Sequence, residues 1–282
     1  MSSYAVSRPR SKATLAGAAH AVLLIAYLVF ALGPILWLFQ MSLKIEVDAF
    51  RMPPKLIFAP TFQNYADLFR GPFLLSIVNS FKASTLTTVF SLVLGVPAAY
   101  ALARARFGSG FFLRLWILST RMAPPIAFAL PFYLAYRTIG LIDTVFGLSI
   151  VYLTFNLSLV IWLTQAFFEG LPKSLEEAAY TDGASTWQAL VRVTLPLAVP
   201  GVVTVAIFSF LIAWNDFFFA LILTRAEAQT APVAIMGYTS FLGWEWGRIA
   251  AGSTLVLAPS LLIALLVRRY LISGLTSGAL KD

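Results

Sequence analysis

Long apolar runs most limit what this chain can become. Six stretches, at roughly 20–42, 74–103, 111–136, 145–169, 197–223 and 249–272, each reach the ~20 mostly apolar residues that cross a bilayer as a helix. Backbone amides and carbonyls find no water in lipid, so a spanning segment must satisfy them internally, as a helix. The two-residue alternation of a barrel strand is absent. The sequence therefore predicts an all-α polytopic membrane protein with six transmembrane helices. A tail over 1–19 precedes a transmembrane domain over 20–272, and a second tail covers 273–282.

Charge supports this division. Only 11% of the 282 residues are charged and mean hydropathy is +0.85, whereas a soluble domain carries about 25% charged residues. The net charge of +8 does not indicate nucleic acid, because lysine and arginine sit at the ends of apolar runs without interleaved aromatics. The pairs Arg104 with Arg106 and Arg268 with Arg269 put their side of the bundle in the cytoplasm, so both termini are expected there. With no cysteine and one histidine, His20, thiol chemistry is excluded and a histidine metal site has no second ligand. The first run is longer than the h-region of a signal peptide and reads as an uncleaved span.

One segment breaks the apolar pattern on the cytoplasmic side. Residues 174–196 read SLEEAAYTDGASTWQALVRVTLP, within a loop over 171–196. Ser174 with Glu177 predicts a capping box and a helix from Leu175. Asp182-Gly183 predicts its stop, and Ser185 with Gln188 predicts a second capping box and a helix to about Thr194. Leu175, Ala178 and Ala179 share one face of the first helix, and Trp187, Leu190 and Val191 one face of the second. Helices this short need something to pack on, either this chain's own bundle or a groove on a partner.

Glu177-Ala178-Ala179, three residues, Gly183, nine residues, then Val193-Thr194-Leu195-Pro196 resembles the EAA loop of ATP-binding-cassette importer permeases, with Val193 in place of isoleucine. STRMAPP (119–125), FNLSLVIWL (155–163), AWNDFFFALIL (213–223), EWGRIAAGSTL (245–255) and GLTSGALK (274–281) are similar to the carbohydrate-uptake branch, nearest the smaller permease of maltose-type systems. The resemblance implies a second, non-identical permease subunit, a dimer of ATPase subunits and an extracytoplasmic sugar-binding protein, in a bacterial or archaeal inner membrane. It also implies that Glu177, Ala178, Ala179, Gly183, Leu195 and Pro196 couple to the ATPase, and that Gly274, Ser277 and Gly278 form an extended tail reaching it. No cofactor is expected in this chain. ATP and Mg would belong to the partner, since no Gly-x-x-x-x-Gly-Lys-Ser/Thr loop is present here.

Polar residues inside apolar runs are costly and mark candidate function. Arg121 lies about ten residues into the third run, beside Pro124 and Pro125. It serves either the carbonyls freed by those prolines or a substrate path. Asn156, in the middle of the fourth run, either binds helices together or lines a cavity. Trp214, Asn215 and Asp216, toward the outer end of the fifth run, offer an aromatic face with donors and acceptors, the chemistry that holds sugars. A membrane-embedded enzyme would need clustered carboxylates or a nucleophile with its base, which the spans lack. The alternatives are an ATP-independent transporter or channel, which leaves the insert unexplained, and an importer of another solute.

Overall fold

The computed structural model describes residues 10–104, 109–240 and 243–279. It is helical apart from one two-residue antiparallel pair. In chain order the elements are α1 (Arg10–Ser42), α2 (Glu46–Ala49), α3 (Gln63–Arg70), α4 (Phe73–Arg104), α5 (Ser109–Ser119), α6 (Pro125–Ile139) and α7 (Val145–Glu169). Then come α8 (Ser174–Thr181), α9 (Thr186–Ala189), a π-turn (Leu190–Thr194), α10 (Leu195–Trp214), α11 (Phe218–Leu223) and α12 (Ala231–Ile235). A 3-10 turn (Met236–Tyr238), β1 (Thr239–Ser240), β2 (Gly243–Trp244) and α13 (Trp246–Ala279) complete the described chain.

α4, α7 and α10 pack together as the centre, while α1 lies along α13. Apolar clusters follow the trio's length. Tyr136, Val151, Tyr152 and Phe219 lie in one, and Ala99, Tyr100, Phe168, Leu190 and Ala198 in another nearer the insert. Leu68 and Phe73 with Ala231 and Ala251 seat the amphipathic α3 against the opposite end. The helices approach closely where side chains vanish. A Cβ on Gly95 of α4 would come within 2.7 Å of Val160 Cγ1 and 3.3 Å of its Cβ, and Val160 is wholly buried on α7. Val160 branches at Cβ and cannot rotate clear. Gly95→Val is therefore expected to cost about 1–3 kcal/mol through overpacking, read as a lower melting temperature in detergent. Gly33→Ala, with open space around its Cβ, should leave melting unchanged.

Among the described residues, five helical segments are long and apolar enough to cross a membrane, the fifth counted from Trp246 to Leu265. The third run is not one of them. It breaks into α5 and α6, because Pro124 and Pro125 lack the amides a continuous helix needs. The break is filled by turn hydrogen bonds from Arg121 N to Leu118 O (3.1 Å) and Met122 N to Ser119 O (3.0 Å). The fifth run is broken too, between Trp214 and Phe218. At the N-terminal side α1 is already helical at Arg10, within the segment expected as a tail over 1–19.

Candidate functional site

Both breaks open onto the same cavity of about 230 Å³. Arg121 comes from the α5–α6 break and Asp216 from the α10–α11 break, and Tyr152, Phe155 and Asn156 of α7 form the wall between them. Irregular backbone at membrane depth is tolerated where it lines such a space. One Asp216 oxygen, Oδ1, accepts from the amides of Phe219 (3.1 Å) and Ala220 (3.4 Å), which caps α11. Neither Arg121 nor Asp216 forms an ion pair among the described residues. The buried Asn156 side-chain carbonyl has no hydrogen-bond partner among the described residues. The Tyr152 hydroxyl faces Asp216 but falls outside hydrogen-bond geometry. Phe155 stacks on Phe219, ring centres 5.0 Å apart, and both rings line the cavity. Chemically the space offers an aromatic wall, a cation, a carboxylate and unpaired polar atoms. That is a surface for a polyhydroxylated molecule. The volume lies below the ~300–1,000 Å³ of pockets for drug-sized ligands, so the cavity suits a small group such as one sugar ring.

Of the five residues proposed for a substrate path, Arg121, Asn156 and Asp216 meet here. The other two do different work. Trp214 is buried, donates Nε1–H to Val256 O at 3.0 Å and stacks on Phe210, tying α10 to α13. Asn215 donates its side-chain amide to Leu211 O (2.7 Å) at the end of α10. Tyr152 was missed, although its spacing of four from Asn156 puts both on one helix face.

At the other end of α4 sits the insert. α8 ends in a Schellman turn, with Ala184 N bonded to Ala179 O (2.9 Å) and Gly183 N to Tyr180 O (3.0 Å). Gly183 occupies the left-handed region at φ +85°, which residues with a Cβ adopt at a cost. The expected Ser185–Gln188 capping box is present in both directions (2.8 and 3.3 Å). The expected Ser174 box is not. Lys173 holds the N-cap position in helical conformation with no side-chain bond, so the helix starts one residue earlier and Ser174 lies inside it. Nor does the second helix stop near Thr194, its expected end. α9 runs through the π-turn into α10 without interruption. The wider turn lets Leu195 N reach Leu190 O and spares Pro196, which has no amide, a clash with the preceding turn.

The two adjacent glutamates of the insert point opposite ways. Glu177 is exposed, with Leu175, Ala178 and Tyr180 also exposed around it and Trp187 exposed on α9. Glu176 is buried. Its carboxylate accepts from Arg104 Nη2 (2.6 Å), Arg104 Nε (2.9 and 3.1 Å), Thr194 Oγ1 (2.6 Å) and the Tyr100 hydroxyl (3.0 Å). Burial alone would raise this carboxyl, and the Arg104, Thr194 and Tyr100 hydrogen bonds outweigh it, holding its pKa below the ordinary glutamate value. Arg104 Nη1 also donates to Phe168 O at the end of α7 (3.0 Å).

A family model described as the inner membrane component of binding-protein-dependent transport systems matches residues 91–275. The chain belongs to that family. The trehalose transport system permease protein SugB of Mycobacterium tuberculosis is 43% identical to this permease over 258 residues, 89% of this chain and 93% of that protein. The trehalose/maltose transport system permease protein MalG of Thermococcus litoralis is 32% identical over 258 residues, 90% and 92% of the two chains. Among solved structures, a chain of a bacterial ABC transporter involved in import of the acidic polysaccharide alginate superposes with a TM-score of 0.76. It is 28% identical, with 94% of the permease and 99% of that chain covered. By their names these relatives are transport proteins. The matched span takes in both the cavity and the insert. Gly274, Ser277 and Gly278 lie on α13, whose backbone stays helical to Ala279 rather than extended.

Proposed function

We propose that this permease is one half of the membrane pathway of an ATP-driven sugar importer. A second, non-identical permease would supply the other half, a separate ATPase dimer would hold ATP and Mg, and an extracytoplasmic binding protein would deliver the sugar. The setting is a bacterial or archaeal inner membrane, with six crossings, the third made jointly by α5 and α6, and both termini in the cytoplasm. Glu177, Ala178, Ala179 and Gly183 then face the ATPase, and Leu195 and Pro196 carry the motion into α10. Gly274, Ser277 and Gly278 extend toward the same partner. Arg121, Asn156 and Asp216, joined by Tyr152, line the sugar's path.

One observation carries this reading. The insert turns Leu175, Glu177 and Ala178 outward to solvent, while the neighbouring Glu176 is tied inward. Short helices rarely stay apolar toward water without something to receive them. The sugar cargo rests on the trehalose and maltose relatives and on the cavity's polar and aromatic lining.

The test is Gly183→Asp in the reconstituted four-component transporter. Among the described residues nothing lies within 4 Å of a Cβ at Gly183, so the substitution starts in open space, while the left-handed backbone costs about 1–2 kcal/mol. Uptake and stimulated ATP hydrolysis are expected to fall together, by about tenfold at a loss near 1.4 kcal/mol, with the melting of the bundle little changed. Undiminished, ATP-independent uptake would instead make the chain a secondary transporter.

A further inference from the structure

α8 has eight residues, and the only one it buries is a charge. Glu176 is 4% exposed, whereas Leu175, Glu177, Ala178 and Tyr180 are left outside. A short amphipathic helix ordinarily holds its bundle by an apolar face. This one holds on by a carboxylate. The other ties of α8 are the Tyr180 hydroxyl, which meets that of Tyr100, and two chain connections: Gly170–Lys173, where Leu171 packs on the cluster around Tyr100 and Phe168, and the Gly183 turn, around whose Cβ there is open space.

The partners of Glu176 are also distributed in an instructive way. Tyr100 and Arg104 are the last turn of α4, Thr194 ends the π-turn that leads into α10, and Arg104 reaches on to the Phe168 carbonyl at the end of α7. Tyr180 of α8 adds a contact to the Tyr100 hydroxyl at 3.1 Å. Tyr100 stands edge-on to Phe168, ring centres 5.8 Å apart. One carboxylate thus joins α8 to the near ends of all three central helices. A buried ion pair adds little net stability over an apolar packing of the same shape, and what it supplies is a fixed geometry. The bidentate Arg104 fork, Nε to Oε2 and Nη2 to Oε1, fixes it in two directions at once.

We infer that Glu176 is a positioning residue for coupling, which together with Arg104, Tyr100 and Thr194 forms the joint that makes the insert and the ends of α4, α7 and α10 move as one body. This rests on the insert being the ATPase-facing element. Displacement applied at the exposed face of α8 then reaches α4 and α7 as well as α10. Without the joint it would be absorbed by rocking of α8 about its two chain connections.

The experiment uses the whole transporter in liposomes, with trehalose as the solute and Glu176→Gln, Glu176→Asp and Gly183→Asp compared with the native chain. Because the chain has no cysteine, Thr181→Cys on α8 and Ala101→Cys on α4 also introduce a unique pair of spin-label sites. In the native chain the label distance should be narrow and the same with and without ATP. Glu176→Gln should broaden it while the ATPase still co-purifies, and trehalose imported per ATP hydrolysed should fall at least about fivefold, the lower end of ordinary coupling between sites. Glu176→Asp, which keeps the charge, should recover part of both. A merely structural role would lower yield or melting without changing solute per ATP. If Gly183→Asp uncouples while Glu176→Gln leaves both the distance and the ratio intact, the joint is refuted and the insert's role stands. If the native distance itself shifts with ATP, α8 rocks and the joint is likewise refuted. If native complexes import no trehalose, the ATP-dependent label distance still decides. If Gly183→Asp has no effect on hydrolysis either, the importer reading fails first.

Discussion

Asp143→Ala is expected to unfasten the segment between α11 and α12. Asp143 sits between α6 and α7, and its carboxylate collects four backbone amides: Arg225 (2.7 Å), Ala228 (2.9 Å), Glu227 (3.1 Å) and Ala226 (3.2 Å). Its own amide donates to Leu223 O at 2.8 Å. From the other side Asn79 of α4 donates to the carbonyls of Glu227 (2.8 Å) and Gln229 (3.1 Å). Hydrogen bonds to a charged group are worth about 1.5–3 kcal/mol. Water can replace much of the set, because the amides of Arg225, Ala226 and Glu227 bond in an exposed setting, so a total loss of that same size is expected for alanine. Asp143 is also left-handed, φ +57°, a conformation asparagine tolerates better than alanine. Asp143→Asn should therefore be the milder change. Hydrogen exchange at residues 225–228 and melting in detergent check both.

The same carboxylate gives a pH dependence with a definite sign. Burial raises the Asp143 pKa, the four amides lower it more, and it ends below the usual aspartate value. A lowered folded pKa means that the stabilisation is complete above the unfolded value of about 3.9 and is lost as pH falls through the folded one. Protection of residues 225–228 should hold from neutral pH down past 4 and fail only below it. Asp143→Asn should show no such acid step.

The second large effect is expected in the cavity. Asp216→Asn keeps an oxygen for the α11 cap but removes the charge that the proposed sugar would meet. Losing a charged hydrogen-bond partner at about 1.5–3 kcal/mol should cut uptake about ten- to hundredfold. Melting should move little, because the amides of Phe219 and Ala220 retain an acceptor. Tyr152→Phe should also lower uptake, since its hydroxyl, unbonded among the described residues, lines the cavity where the sugar would meet it. Unchanged uptake in both variants would remove the cavity from the path.

Apolar length made five crossing-length helices readable directly, and the insert's turn chemistry was readable residue by residue at Gly183 and Ser185. What the sequence hid was tertiary. Glu176 and Glu177 are indistinguishable by local pattern, and only the arrival of Arg104, from far away in the chain, selects which is buried. Trp214 and Asp216 sit two apart, yet a helix end between them sends one toward α13 and the other into the cavity. The prolines at 124 and 125 announced a disturbance, but a kink and a full break have the same signature until the turn bonds are seen. Ser174 misled because capping boxes depend on the backbone angle of the first residue, which side chains alone do not fix.

The unbroken passage from α9 through the π-turn into α10 has a geometric consequence. Thr186 to Trp214 is one rod of 29 residues, about 43 Å at ~1.5 Å per residue. A tilt of about 5° at one end of such a rod sweeps the far end by about 4 Å. That is comparable with the width of a small polar group, and the far end is where Asp216 stands. A rotation too small to be conspicuous at the surface would thus be enough to redraw the outline of the cavity.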